Sequence, residues 1–174
     1  MQFRTLRPSE IEVRVGSVSK QGVTLLLYKN ARVDMAILDE TVGAENWQRD
    51  HKEVKGNLYC GIGIKCEGEW VWTWDCGTES YTEKEKGEAS DSFKRAAVNW
   101  GIGRELYSGP KIRIKCDTVP RDKNDESKGF IQINKFEFYG AYVSEITFTE
   151  DAVTGQKVIN YVQIKNSKGQ TIYG

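Results

Sequence analysis

Period-two alternation on both sides of a glycine-containing turn constrains this chain more than any other feature. Leu58, Cys60, Ile62, Ile64 and Cys66 alternate with Tyr59, Gly61, Gly63 and Lys65. After Glu67 and Gly68, the series Trp70, Trp72, Trp74 and Cys76 alternates with Val71, Thr73 and Asp75. Successive side chains of a strand point to opposite faces, so the pattern predicts a β-hairpin over 57–76.

The hairpin is followed by a segment of different period. In 83–100, Ala89, Phe93, Ala96, Ala97 and Trp100 recur at spacings of three and four, which predicts a helix with one apolar stripe. Gly101 and Gly103 are its natural stop. Gly87 costs about 1 kcal/mol relative to alanine in a helix interior, so the helix is expected to start after it, with Lys84 and Lys86 on a loop. Upstream, 11–28 reads as one or two strands turning near Lys20, Gln21 and Gly22. Residues 31–42 read as a helix with Asn30 as N-cap, Gly43 as stop, and Val33, Ala36, Ile37 and Glu40 at helical spacing. Ile112 and Ile114 alternate with basic residues, and 118–128 is polar. Phe130, Ile131, Ile133, Phe136 and Phe138 suggest a further strand or strand pair. The tail reads as a meander over 143–149, 157–165 and 171–173, with turns near Thr154–Gly155 and Lys168–Gly169. The fold class is therefore α+β. An antiparallel sheet packs on a central helix in a core over 1–117, followed by a mobile loop over 118–129 and a C-terminal β appendage over 130–174.

With 39% hydrophobic and 29% charged residues the composition is that of an ordinary globular chain. No apolar run approaches the roughly 20 residues that span a bilayer, and MQFRTLRPSE lacks the apolar core of a signal peptide. The expected location is cytoplasmic, with no membrane partner. Cys60, Cys66, Cys76 and Cys116 have no CxxC spacing, and His51 is the single histidine. Reduced, buried cysteines are the expectation, with no metal and no cofactor. The runs 61–63 and 101–103 do not extend to GxGxxG, and no Walker phosphate loop, nucleophile elbow or deaminase signature is present. No enzyme chemistry is expected.

The remaining signal is basic and aromatic. Net charge is zero, yet residues 92–116 carry Lys94, Arg95, Arg104, Lys111, Arg113 and Lys115 against Glu105 alone. A basic stripe on a neutral chain suits a groove for an anionic polymer, or is a solvated face. Lys94 and Arg95 project together off the apolar stripe, and with Arg104 they can neutralise phosphates. Trp70, Trp72 and Trp74 on one face are either a base-stacking platform or core filling under the helix. Core is favoured, because cysteines and aliphatic residues are read as sharing that face.

These residues resemble a known group. EKEKGEASDSFKRAAVNWGIG (83–103) is similar to the signature helix of the Rad-fifty-two (Rad-twenty-two) family of single-strand annealing proteins. Its core is Ser90, Asp91, Ser92, Phe93, Lys94, Arg95 and Ala96. LLYKNARVDMAILDETVG (26–43) resembles the family's tyrosine and arginine-bearing helix, Trp47 fills the tryptophan place, and the hairpin precedes the signature helix in the same order. The likeness spans about 11–110, and the short chain resembles the phage and prophage branch. It implies a β-β-β-α core, a homo-oligomeric ring, and single-stranded DNA in a positively charged groove. It implies DNA contacts at Lys94 and Arg95, then at Arg14, Tyr28 and Arg32; Arg104, Lys84 and Lys86 are added as DNA-binding candidates on their charge alone. A basic residue expected one turn after the pair is Val98 here, a gap that Arg104 is positioned to fill. Residues 130–174 carry no such likeness.

The function implied is ATP-independent annealing of complementary strands in homologous recombination and repair, in a bacterial host cell. A single-strand-binding protein or an exonuclease is the kind of partner such annealers use. The alternative is a passive single-stranded nucleic-acid-binding protein whose tryptophan face stacks bases. A third reading is a metal-dependent nuclease using Asp91, Glu88 and Asp75, which form no recognised spacing.

Overall fold

The computed structural model describes residues 1–77, 84–134 and 137–174, with residues 84–86 described by backbone alone. Strands β1 (Glu12–Ser19) and β2 (Gly22–Tyr28) precede helix α1 (Ala31–Val42). Strands β3 (Trp47–Val54), β4 (Asn57–Cys66) and β5 (Glu69–Cys76) precede helix α2 (Lys84–Asn99). Short strands β6 (Ile112–Ile114), β7 (Thr118–Pro120) and β8 (Phe130–Gln132) follow, then β9 (Tyr142–Glu150), β10 (Lys157–Lys165) and β11 (Thr171–Tyr173). The chain is α+β with antiparallel pairing throughout, and it divides into two compact units.

The first unit comprises Met1–Thr5 and Lys29–Arg104. Its sheet has the order β3-β4-β5, and α2 packs on it, giving a β-β-β-α arrangement. Two tight turns set the register. Lys55–Gly56 and Glu67–Gly68 both hold two successive residues at positive φ (53° and 77°, 51° and 91°), the geometry whose twist matches antiparallel strands. The hairpin over 57–76 forms as expected. Strand β3 was not singled out, since Trp47, Arg49 and His51 mark its inner face without an aliphatic alternation.

The Glu67–Gly68 turn corrects the reading of the tryptophan face. A two-residue turn opposes Cys66 to Glu69, so Lys65 faces Trp70, Gly63 faces Trp72 and Gly61 faces Trp74. Directly opposed residues share a face. Cys60, Ile62 and Ile64, all fully buried, share theirs with Val71, Thr73 and Asp75. That is the face α2 covers: the Thr73 hydroxyl donates to the Ala96 carbonyl at 3.4 Å. The tryptophans lie on the opposite face and do not fill the core under the helix.

Helix α2 buries Phe93, Ala96 and Ala97, the centre of the expected stripe. Trp47 packs against Phe93 with ring centroids 6.1 Å apart, and the Arg49 guanidinium sits 5.6 Å from the same ring centre. Gly77 admits the helix backbone, because a Cβ there would stand 2.3 Å from the Glu88 carbonyl oxygen. The helix begins at Lys84, so Gly87 lies inside it and does not mark its start. Helix α1 is capped by Asn30, whose side chain accepts from the Arg32 and Val33 amides, and Gly43 ends it. Its buried residues are Asp34, Ile37 and Leu38, so of the expected stripe Val33, Ala36, Ile37 and Glu40 only Ile37 is fully buried. A charged residue at a core position hid the rest.

The second unit comprises Leu6–Tyr28 and Glu105–Gly174. Its six-stranded sheet has the order β11-β10-β9-β1-β2-β6. Leu6, Ile11, Val23, Leu25, Ile112, Val143, Val162 and Ile164 form its core. The tail meander falls where expected, and β9 pairs with β1 through Tyr142 and Glu12. The polar stretch after Asp117 begins with β7, which pairs with β8, and Asp125 caps a short turn over Glu126–Lys128. Of the residues expected to extend a strand through 138, Ile133 is exposed and Phe138 buried. Phe136 lies outside the described residues. The four cysteines are free thiols, with Cys60 buried and Cys66, Cys76 and Cys116 half-buried. Burial pushes the Cys60 thiol up to about 11.

Candidate nucleic-acid interface

Lys94 and Arg95 occupy consecutive positions of α2 beside the buried Phe93 and Ala96, so the helical period turns both away from the sheet core. Lys94 is half-buried and Arg95 exposed. Arg95 is not an isolated cation: its Nε donates to Asp75 Oδ1 at 3.2 Å, with side-chain exposures of 44% and 24%. Asn99, one turn later, donates to Asp75 Oδ2 at 3.4 Å and to the Trp74 carbonyl at 3.1 Å. The Asp75 carboxylate therefore ties α2 to the end of β5 and holds the guanidinium at the rim of the sheet. A surface pair of this kind contributes about 0.2–1 kcal/mol, little enough for a phosphate to replace the carboxylate.

Lys94 lies within electrostatic reach of a buried pair that sequence reasoning missed. Lys29 donates to Asp34, with side chains 5% and 0% exposed, and Asp34 Oδ2 has no hydrogen-bond partner. Burial pushes the Asp34 carboxyl up to about 6, against the opposing pull of Lys29 and then of Lys94. Lys29 in turn is accommodated by Gly103, where a Cβ would stand 2.2 Å from Lys29 Cε. The signal was present in the sequence: Asp34, Ile37 and Leu38 lie at i, i+3 and i+4, which puts the acid on the buried stripe and demands a partner.

Arg104 serves the helix. Its Nη2 donates to the Val98 and Asn99 carbonyls at 3.0 Å each, and its Nε to Val98 at 3.3 Å. A cation here satisfies orphan carbonyls and the negative end of the helix dipole. The exposed side chain thus carries its charge at the α2 terminus. Arg32 is exposed in the first turn of α1, where a cation works against the dipole and gains nothing from the helix. The side chains of Lys84 and Lys86 lie outside the described residues.

Arg14 and Tyr28 belong to the second unit and meet each other there. The guanidinium carbon of Arg14 lies 5.0 Å from the Tyr28 ring centre. Tyr28 also hydrogen-bonds Glu12, which raises its phenol above the usual value together with partial burial.

Two of the three carboxylates of the nuclease reading are in structural use. Glu88 accepts from the Leu58 amide at 2.9 Å and Asp75 from Arg95. Among the described residues no group of three His, Cys, Asp or Glu side chains is placed to hold a metal ion. No described helix is long and apolar enough to cross a membrane.

Searches of curated proteins and of solved structures returned no match. Residues 53–124 match the family model described as Rad52/22 family double-strand break repair protein. The matched segment holds β4, β5 and α2 with Lys94, Arg95 and Arg104, and leaves Arg14, Tyr28 and Arg32 outside it. By this match, the part of the chain that carries the Lys-Arg pair is similar to the Rad52/22 family.

Proposed function

We propose that the chain binds single-stranded DNA through the basic face of α2 and anneals complementary strands in recombination and repair, without ATP and without covalent chemistry. The observation that carries this reading is the Lys94–Arg95 pair. It projects off the buried stripe of a helix that lies inside the segment similar to the double-strand break repair family. Contacts to the sugar–phosphate edge grip any sequence and leave base edges free to pair. Arg32 and Arg104, exposed cations of the same unit, are proposed as further phosphate contacts, Arg104 while capping its helix. Arg14 and Tyr28 are proposed contacts of the second unit.

The finer parts of the reading are a homo-oligomeric ring that joins the basic faces of successive copies, a phage or prophage origin, and a cytoplasmic site of action. A host single-strand-binding protein or exonuclease would be the partner. The test is an annealing assay on complementary oligonucleotides without nucleotide, run beside a light-scattering mass. Acceleration by an assembly many times the 19.8 kDa chain is the expected result. Binding without acceleration would instead establish a passive single-strand binder.

A further inference from the structure

The tryptophan face of the three-stranded sheet is built differently from a core. Equidistant contact shows the indoles lying flat on it: a Cβ at Gly61 would stand 2.6–2.8 Å from Trp74 Cε2, Cζ2 and Cδ2, and one at Gly63 2.7–2.9 Å from the same atoms of Trp72. A point nearly equidistant from three bonded ring atoms sits over the ring, so each indole covers its glycine with its face. The two ring planes are within 22° of each other, with centroids 5.7 Å apart. Lys52 Nζ stands 4.3 Å from the Trp74 ring centre, and Trp70, cross-strand from Lys65, is 40% exposed. Both helices of this unit pack on the other face. Side chains two residues apart on a strand repeat about every 6.6 Å, so β5 presents a row of flat aromatic surfaces along one line.

We infer that this face is a second contact for single-stranded nucleic acid, in which bases stack on Trp70 and Trp72 while Lys52 and Lys65 meet the flanking phosphates. The inference rests on the single-strand-binding reading above and adds to it a base-directed site that the Lys94–Arg95 pair does not supply. The occupant follows from composition. Aromatic faces interleaved with lysines are what an unpaired strand needs, because every base has a π-face and every link a charge. On this face Asp50 is the single acid against Lys52 and Lys65. Stacking also differs from phosphate contact in its salt response: it releases no counterions, so it changes affinity without changing the slope against salt.

The experiment is a titration of the full chain with oligothymidylate, read by tryptophan fluorescence and repeated across salt concentrations. Quenching is expected for the wild type. Trp70→Ala is expected to weaken binding roughly tenfold, by the energy of one stacked base, with the salt slope unchanged. Trp70→Phe should recover most of that loss. Trp72→Phe, which keeps a ring over Gly63, should weaken binding less than Trp70→Ala. Circular dichroism shows that each variant is folded. If these variants bind like the wild type while Lys94→Glu does not bind, the platform is overturned and the phosphate-binding reading stands. Emission that ignores oligonucleotide but shifts on dilution marks the face as a contact between copies and also overturns it. A wild type that binds no oligonucleotide overturns both.

Discussion

Trp72 lies face-down on Gly63, and the hydrogen of that glycine is what lets the indole reach the sheet. A Cβ at position 63 would stand 2.7 Å from Trp72 Cε2, inside any real contact distance. The obstacle is a large ring already braced by Trp74, not the free end of a flexible chain. Gly63→Ala is therefore expected to destabilise the fold by about 1–3 kcal/mol, the usual cost of forced overpacking. A lowered midpoint in urea with an unchanged slope is the measurement that checks it. If Trp72 carries the base contact inferred above, the same substitution also weakens oligothymidylate binding, because a lifted indole presents a different plane.

The strand pattern was legible because alternation over 57–76 is long and the helix stripe from Ala89 to Trp100 regular. Which face the tryptophans occupy was not read from the alternation, although the turn holds the answer. A two-residue turn pairs odd positions of one strand with even positions of the other, so Ile62 and Trp72 cannot share a face. Strand β3 escaped because its inward residues are Trp47, Arg49 and His51, which resemble no apolar series. The stripe of α1 was legible at Ile37 but not at its neighbours, because Asp34 occupies a core position, a choice that makes sense only once Lys29 is seen beside it. The Lys94–Arg95 pair was legible as a projection off the stripe. Its tie to Asp75 depends on a pairing between elements twenty residues apart, which no local pattern encodes.

That tie gives a prediction with a sign. Asp75 competes with phosphate for the Arg95 guanidinium, so Asp75→Asn is expected to strengthen oligonucleotide binding by up to about fivefold, from the roughly 1 kcal/mol ceiling on an exposed pair. The apparent gain should be largest at low salt, where surface charges are least screened. Lys94→Ala should weaken binding and reduce the slope of log affinity against log salt by about one phosphate contact. A binding isotherm at several salt concentrations reads both. Unchanged affinity and slope in Lys94→Ala would remove that side chain from the interface.

Arg104 separates a structural role from a binding role. Its three donations to Val98 and Asn99 close the C-terminus of α2, so Arg104→Ala should cost about 0.5–1.5 kcal/mol of stability, the net value of a hydrogen bond. Arg104→Lys keeps the charge near the dipole but loses the fork, and should fall between the two. The thermal midpoint reports this. If the guanidinium also fills the place left by Val98 at the DNA surface, the salt slope of Arg104→Ala drops as well; a lowered midpoint with an unaltered slope confines Arg104 to capping.

The buried Lys29–Asp34 pair makes stability depend on pH in an unusual direction. Burial raises the Asp34 carboxyl from 3.8 to about 6, so between these values the folded chain holds a proton that the unfolded chain has released. Stability from this group is then gained as pH falls through 6 and is complete below 3.8, the reverse of an acid held by an exposed ion pair. A shift of this size corresponds to a change on the order of 3 kcal/mol. The same protonation removes a negative charge facing Lys94, so oligonucleotide affinity should rise as pH drops from 7 towards 5 at constant salt. Asp34→Asn carries no titrating group at this position and should lose this pH dependence in both stability and affinity, whatever its stability at pH 7. Urea midpoints and binding constants for wild type and Asp34→Asn at pH 5, 6 and 7 give the comparison. Parallel pH profiles for the two proteins would show that Asp34 stays ionised across this range, with Lys29 outweighing its burial.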